Sequence, residues 1–434
     1  MLVAAGEVPA GNTLDALMLD PDAYLTATKE NWAPLFTGTN NNAPSITLND
    51  GQTVTIPLLT GIDAVHGFHE VLGNVIFPHN IGLSMINDTN LLTQIGKITA
   101  NDLLQLGFNW TYAPTVAIKH NPNWGRTFET QGSIPEKVRI NIEAMINGLQ
   151  QFNQGMIPET GVLATVKHFI GDGATQFGID QGSVVVEDQD RFVSVNAAGY
   201  KGAIQANVGS VMVSYSGINN EYMSTETDLK TQLLHGELTG IPFTGFVVSD
   251  YGAVDNIVER GLPTADYTLP YKEALADTIN SGIDMIMLTN SGSIYDSIDS
   301  FLEVFEETVT EGSISESRVD EAVNNILAVK YAMGLISVDD DGNWSHKFKL
   351  LNDEQYTQDE KIAVAVSAVE KSLVLLKNDD ALLPIDPSKI EYIVFAGDTE
   401  IDQLIDGDGT TRKTNIYQSY HNIGRQSGAW LISW

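Results

Sequence analysis

Short apolar runs that each stop on a polar residue, with helical patterns between them, predict an α/β fold built on a parallel sheet. The polar residues gather at the ends of at least six such runs, which favours a closed (β/α)8 TIM-like barrel. A doubly wound open sheet is the alternative, but no glycine fingerprint opens a first helix. At 434 residues the chain exceeds one ordinary core, so further structure is expected after the barrel.

Taken in order, residues 54–62 end in Asp63, residues 108–114 lead into a polar loop near Arg126, and residues 161–166 end in Lys167 and His168. Residues 208–214 end in Tyr215, residues 243–248 in Ser249 and Asp250, and residues 282–288 in Thr289 and Asn290. The spacing predicts crossover helices over 91–106, 134–153 and 192–205; Val138, Ile142, Met145, Ile146 and Leu149 make one apolar face. Ser313 and Glu316 form a capping box that opens the barrel's last helix, ending at Gly334. The domain reading is therefore a barrel over 1–336 and a polar linker over 337–358. An incomplete second α/β domain follows over 359–434, with a helix at 359–370 and strands at 373–376 and 392–396.

Charge excludes whole classes of partner. With 23 basic against 56 acidic side chains, the net charge of −33 repels nucleic acid and anionic lipid. No apolar run approaches the roughly 18 residues of a membrane span. Zero cysteines exclude disulfides and thiolate metal sites. Residues 1–7 lack a basic start and a long apolar stretch, so they do not read as a signal peptide. The chain is expected to be periplasmic or secreted if a leader was removed, and otherwise cytoplasmic.

Six strand-end residues carry the functional reading: Asp63, Arg126, Lys167, His168, Tyr215 and Asp250. Taken alone, Asp250 is better read as a helix cap, Lys167 and His168 as a surface pair, and Asp63 as a turn residue. In a barrel, however, all six converge on one face. Such a fan suits sugar hydroxyls, and a spare carboxylate beside the anomeric carbon suits glycosyl transfer. No metal or cofactor is expected. His66 to Glu70 has ligand types without the zincin order, and hydrogen-bonded loop histidines are the better reading. Gly171-Asp172-Gly173 lacks the lysine of a phosphate loop, and Asp406-Gly407-Asp408-Gly409 lacks a calcium loop's twelfth-position glutamate.

The stretches Gly61-Ile62-Asp63-Ala64-Val65-His66-Gly67, Asn123-Trp124-Gly125-Arg126-Thr127-Phe128-Glu129, Lys167-His168-Phe169-Ile170-Gly171-Asp172-Gly173 and Val248-Ser249-Asp250-Tyr251 share a pattern. With Ile76-Phe77-Pro78-His79-Asn80 and residues 371–378, they resemble the family 3 glycoside hydrolases, the β-glucosidases and exo-β-glucanases. The resemblance implies a barrel followed by an α/β sandwich domain, a retaining mechanism, and a β-glucoside or β-glucan oligosaccharide as substrate. It implies that Asp250 is the nucleophile and that Asp63, Arg126, Lys167 and His168 bind hydroxyls of the terminal sugar. Tyr215 matches a tyrosine beside the nucleophile, Trp434 a tryptophan lining the next subsite, and Trp430 a structural neighbour.

Departures from the family pattern matter. Tyr251 and Ile218 stand where tryptophan is frequent, which touches aglycone preference. The acid/base glutamate of two-domain members has no counterpart in these residues, so impaired hydrolysis is expected. The single-domain β-N-acetylglucosaminidase branch uses a histidine after Lys-His-Phe; none occurs between His168 and His235, and that branch is rejected. A non-catalytic sugar-binding relic, a β-xylosidase and a barrel of unrelated chemistry stay open, as do linkage and oligomeric state.

Overall fold

The computed structural model describes residues 2–4, 45–49, 51–71, 74–259, 262, 268–289, 298–351, 353–389, 403–405 and 411–413. At its centre lie six strands: β1 (Leu2–Ala4), β2 (Leu59–Ile62), β3 (Trp110–Thr111), β4 (Leu163–Phe169), β5 (Ser210–Val213) and β6 (Phe246–Val248). They stand side by side in chain order, and every neighbouring pair is parallel. A parallel bridge from Val248 to Met285 carries the sheet into the next apolar run.

Alternation along the strands decides what lies inside. Phe246 and Val248 join Met212, Leu163, Trp110 and Leu59 in one buried cluster. Val247, Val211 and Val213 turn the other way, into a second cluster under the helices. The Trp110 and Phe246 rings meet edge to face at 5.5 Å. Two strands separate β3 from β6, so this contact requires the sheet to curl round on itself. The inward side chains thus fill a TIM-like barrel.

The crossover helices follow their apolar spacing. The first, α1 (Thr89–Gln105), starts on Asp88, whose carboxylate accepts from the Leu91 N–H at 3.1 Å. It lies against α2 (Pro135–Gln150) closely enough that a Cβ on Gly148 would stand 2.2 Å from the Thr93 carbonyl oxygen. The helix expected over 192–205 is two, α3 (Gln189–Asn196) and α4 (Ala198–Gln205), meeting at Ala197. The last barrel helix, α5 (Glu316–Ala332), is capped by Ser315 rather than Ser313. The reason lies in the preceding turn, where the Ser313 N–H is already bonded to the Thr308 carbonyl and Ile314 is buried.

Residues 337–358 hold more structure than their polarity suggests. Ile336–Val338 and Trp344–His346 form an antiparallel hairpin turning at Asp339 to Gly342. Lys349 is buried beyond it, donating to the carbonyls of Ile157, Pro158 and Gly161, and burial lowers its pKa to about 7. Then comes α6 (Gln358–Ser372), opened by a reciprocal Thr357 and Glu360 capping box. Val364 and Ala368 of α6 pack with Leu92 and Ile95 of α1. Lys361 is buried between Asp102 at 2.7 Å and Glu354 at 2.9 Å.

The strand expected over 373–376 has no ladder partner among the described residues, and Leu376 is 91 % exposed. An apolar β-prone run becomes a strand only where a neighbour pairs with it. The strand expected over 392–396, the 406–409 turn, Trp430 and Trp434 lie outside the described residues. Among the described residues no helix is long and apolar enough to cross a membrane.

Candidate active site

The ends of β2, β4 and β6 bring Asp63, Lys167, His168 and Asp250 to one end of the barrel. Lys167 and His168 are consecutive, and in a regular strand they would face opposite ways. The ladder between β4 and β5 resolves this: Val166 pairs with Val211 and Phe169 with Val213, so β4 holds one extra residue there. Such a bulge re-aims side chains. Lys167 thereby reaches Asp63, its ammonium hydrogen-bonded to Oδ1, while His168 turns towards Asp250.

Asp250 is 9 % exposed. Its Oδ1 accepts from the Tyr251 N–H at 2.7 Å, which leaves Oδ2 facing His168 Nε2 at 3.6 Å. The Ser249 hydroxyl donates to the Asp250 carbonyl and accepts from the Met287 N–H, tying β6 to the next run. Tyr215 is half-buried, and its hydroxyl donates to the Tyr251 carbonyl.

Arg126 enters from the loop after β3. Its Nε and Nη2 donate to the two oxygens of Glu129 at 2.8 and 2.9 Å, a bidentate fork. Nη2 also stands 3.4 Å from His168 Nε2. Arginine can only donate, so in this contact His168 accepts at Nε2, with its proton on Nδ1. That Nδ1–H donates to Asp172 at 2.7 Å, and the Ser214 hydroxyl donates to the other Asp172 oxygen. Burial alone would raise the Glu129 pKa, but the Arg126 hydrogen bonds and charge, with Lys167 and His168 beyond, lower it to about 2. Burial works against the Arg126 charge too, and Glu129 raises its pKa in compensation.

A profile of the glycosyl hydrolase family 3 N terminal domain matches residues 30–329. The chain belongs to glycosyl hydrolase family 3. This family 3 chain is 28% identical over 355 residues to the lysosomal beta glucosidase of Dictyostelium discoideum, covering 80% of the chain and 40% of the relative. It is 28% identical over 354 residues to a beta-xylosidase of Formosa agariphila, covering 80% of the chain and 46% of the relative. The crystal structure of an exo-1,3/1,4-beta-glucanase from a Pseudoalteromonas species superposes with a TM-score of 0.69 at 31% identity, over 88% of this chain and 44% of that one. The chain thus spans less than half the length of each of these proteins.

Sequence reasoning had not placed Glu129, Asp172 or Ser214 in the site of this family 3 chain. Glu129 carried a visible signal, three residues after Arg126, and Asp172 stands four after His168. Ser214 gave none, because its bond to Asp172 joins separate strand ends. The loop histidines cluster: His66 stacks on His69 at 4.9 Å and lies tilted against His79 at 4.1 Å, ring centre to ring centre. His66 donates from Nδ1 to the Phe77 carbonyl at 2.8 Å. Burial first, then the neighbouring histidines, lower His66 to about 3. Burial likewise takes His79 to about 4, against the pull of Glu129. Ile218 is buried in the cluster under the helices, whereas Tyr251 is exposed.

Proposed function

We propose that this chain carries the sugar site and nucleophile of a retaining exo-acting β-glycosidase. Its substrates are glucosides or β-glucan oligosaccharides, from which it releases nonreducing terminal β-D-glucose. The observation that carries the reading is Asp250: a mostly buried carboxylate at a strand end, one oxygen fixed by a backbone N–H and the other open beside His168. In this reading Oδ2 attacks the anomeric carbon, and the bond to the leaving oxygen breaks with its electron pair. Water then attacks the covalent glycosyl-enzyme, loses a proton and frees the sugar. Asp63, Arg126, Lys167 and His168 hold the hydroxyls of the terminal ring. Tyr215 steadies the nucleophile's loop, and Tyr251 and Trp434 belong to the leaving side.

The leaving oxygen also needs a proton. Among the described residues the carboxylates grouped with Asp250 act as acceptors: Asp63 from Lys167, Glu129 from Arg126, Asp172 from His168 and Ser214. We therefore assign no acid among these residues, and expect nitrophenyl glucoside to be turned over far faster than cellobiose. A 2-deoxy-2-fluoro glucoside with a good leaving group tests the nucleophile. A mass gain on the peptide holding Asp250 supports the enzyme; glucose binding without any label leaves a sugar-binding relic.

A β-xylosidase is the second reading, favoured by a relative of that name at the same 28% identity as the glucosidase. Comparing nitrophenyl β-xyloside with the glucoside decides between them. We also propose the division into a barrel over 1–336, a linker over 337–358 and a second domain over 359–434, whose first helix, α6, docks on barrel helix α1. The name of the lysosomal relative supports a location outside the cytosol.

A further inference from the structure

The loop after β4, residues 171–182, forms part of the cleft wall and is held at both ends and in the middle. Asp172 pins its start to His168 and Ser214. The middle is pressed on the turn before Arg126: a Cβ on Gly178 would stand 2.8 Å from the Trp124 nitrogen, and the Trp124 indole donates to Asp180 at 3.0 Å. The end is tied where the Gly217 N–H donates to the Gly182 carbonyl at 3.1 Å.

Between these anchors stands Phe177, 79 % exposed, with its backbone at φ 58°, ψ 6°. A left-handed backbone is strained for a bulky residue, and a phenyl ring in water forgoes the gain of burial. Neither cost serves the interior, because Phe177 takes part in none of the buried clusters. Glycine would fit that backbone without strain, and a polar residue would suit the solvent. Three and four residues on, Asp180 and Gln181 line the cleft together with Arg126 and His168. The ring therefore stands in solvent on the same anchored loop as two residues that line the cleft.

We infer that Phe177 is a stacking platform for the sugar rings of a β-linked gluco-oligosaccharide that lie beyond the scissile bond. In the proposed site the terminal ring is held by the paired side chains at the strand ends, so a solvent-facing ring further along the loop would meet only what projects from the cleft. The apolar C–H face of a pyranose covers an aromatic ring and removes both surfaces from water. This subsite rests on the glycosidase reading and extends it.

The test uses the full chain carrying Asp250→Asn, so that ligands stay intact, with Phe177 kept or changed to Ala, Trp or Gly. Calorimetric titration with glucose, laminaripentaose and cellopentaose reads the two parts of the site separately. Glucose is expected to bind all four proteins alike. Pentasaccharide affinity is expected to fall about three- to tenfold in the Ala and Gly variants and to persist in the Trp variant. The Gly variant is expected to melt above the Ala variant, because it relieves the left-handed strain. Equal pentasaccharide affinity in all four, with glucose still bound, overturns the platform and leaves the glycosidase reading standing. Glucose affinity that changes with the ring also overturns it, by placing Phe177 in the terminal-sugar site. Failure of every protein to bind glucose overturns both.

Discussion

On the strand-end side of the cleft the charged groups around Asp250 hold one another in pairs, whereas the aromatic side chains of Tyr251 and Phe177 are exposed. Asp63 has Lys167, Arg126 has Glu129, and His168 has Asp172 with Ser214 behind it. Tyr251 engages its neighbours through its backbone N–H and carbonyl, and Phe177 is held in place by its loop. Side chains that must present donors and acceptors at set positions are locked by other side chains. Side chains that offer only a ring can vary in type while the backbone keeps them in place. If the proposed site is right, variants on the braced side should lose stability and sugar binding together, and variants at Tyr251 and Phe177 should leave stability and Asp250 labelling intact.

The largest expected effect comes from Glu129→Gln. It leaves the mostly buried Arg126 guanidinium without its carboxylate, and breaking such a pair costs about 3 kcal/mol, the low end because Arg126 keeps some solvent. Urea unfolding should show the loss, and titration with glucose should show weakened binding. Changing the pair together, Arg126→Met with Glu129→Leu, should recover most of the stability and none of the binding. A double variant as unstable as the single one would mean that the fork holds the fold rather than the sugar.

Next comes acid. His66 is neutral in the fold down to about pH 3, while an unfolded histidine takes a proton near 6.5. Its contribution to stability is thus complete above pH 6.5 and is lost as pH falls towards 3, amounting to about 2 kcal/mol by pH 5. Glu129 is depressed from 4.5 to about 2, so its contribution is intact above 4.5 and drains away only below it. Loss between pH 6.5 and 4.5 therefore belongs to the histidine cluster. Unfolding midpoints at pH 7 and pH 5 should draw together in His66→Gln, which can still donate to the Phe77 carbonyl. An unchanged gap would move the acid sensitivity elsewhere.

A smaller effect separates bracing from recognition. The Asp63 side chain is 52 % exposed, so its ion pair with the buried Lys167 gains little in stability. Asp63→Asn keeps an oxygen acceptor for the Lys167 ammonium at a position open to water, so it should cost about 1 kcal/mol in unfolding, yet weaken glucose binding about tenfold, since a charged acceptor of a hydroxyl is lost. A large loss of stability with normal glucose affinity would make Asp63 a structural brace.

How much of this could be read in advance depended on range. Residues 243–248 announce a buried strand by composition, of which Phe246–Val248 form the ladder, and the polar residue after each such run marks the cleft end. The Lys167 bulge could not be read, because it is a mismatch in register against β5, and register belongs to two strands at once. Ser214 and Asp172 meet for the same reason only in the folded barrel. Ser313 and Ser315 both offer a cap, and the choice fell to the burial of Ile314 and the preceding turn. Leu373 to Leu376 show the converse: strong local β preference that finds no ladder partner among the described residues.

The smallest effect is expected at Tyr251, next to Asp250 in sequence but on the other side of the comparison. Its N–H fixes Asp250 Oδ1, and its carbonyl accepts from the Tyr215 hydroxyl; both contacts are backbone and survive a change of side chain. The ring is 41 % exposed, so Tyr251→Trp should change unfolding stability by no more than about 0.5 kcal/mol. The rate of 2-deoxy-2-fluoro labelling at Asp250 should likewise hold. What should move is affinity for the leaving sugar, since a larger ring covers more of its face. Cellobiose binding in an Asp250→Asn background is expected to tighten about threefold, with glucose unchanged. Slower labelling of Asp250 in Tyr251→Trp would mean that the side chain, and not the backbone, orients the Asp250 carboxylate, and the contrast between braced and exposed residues would no longer hold at that position.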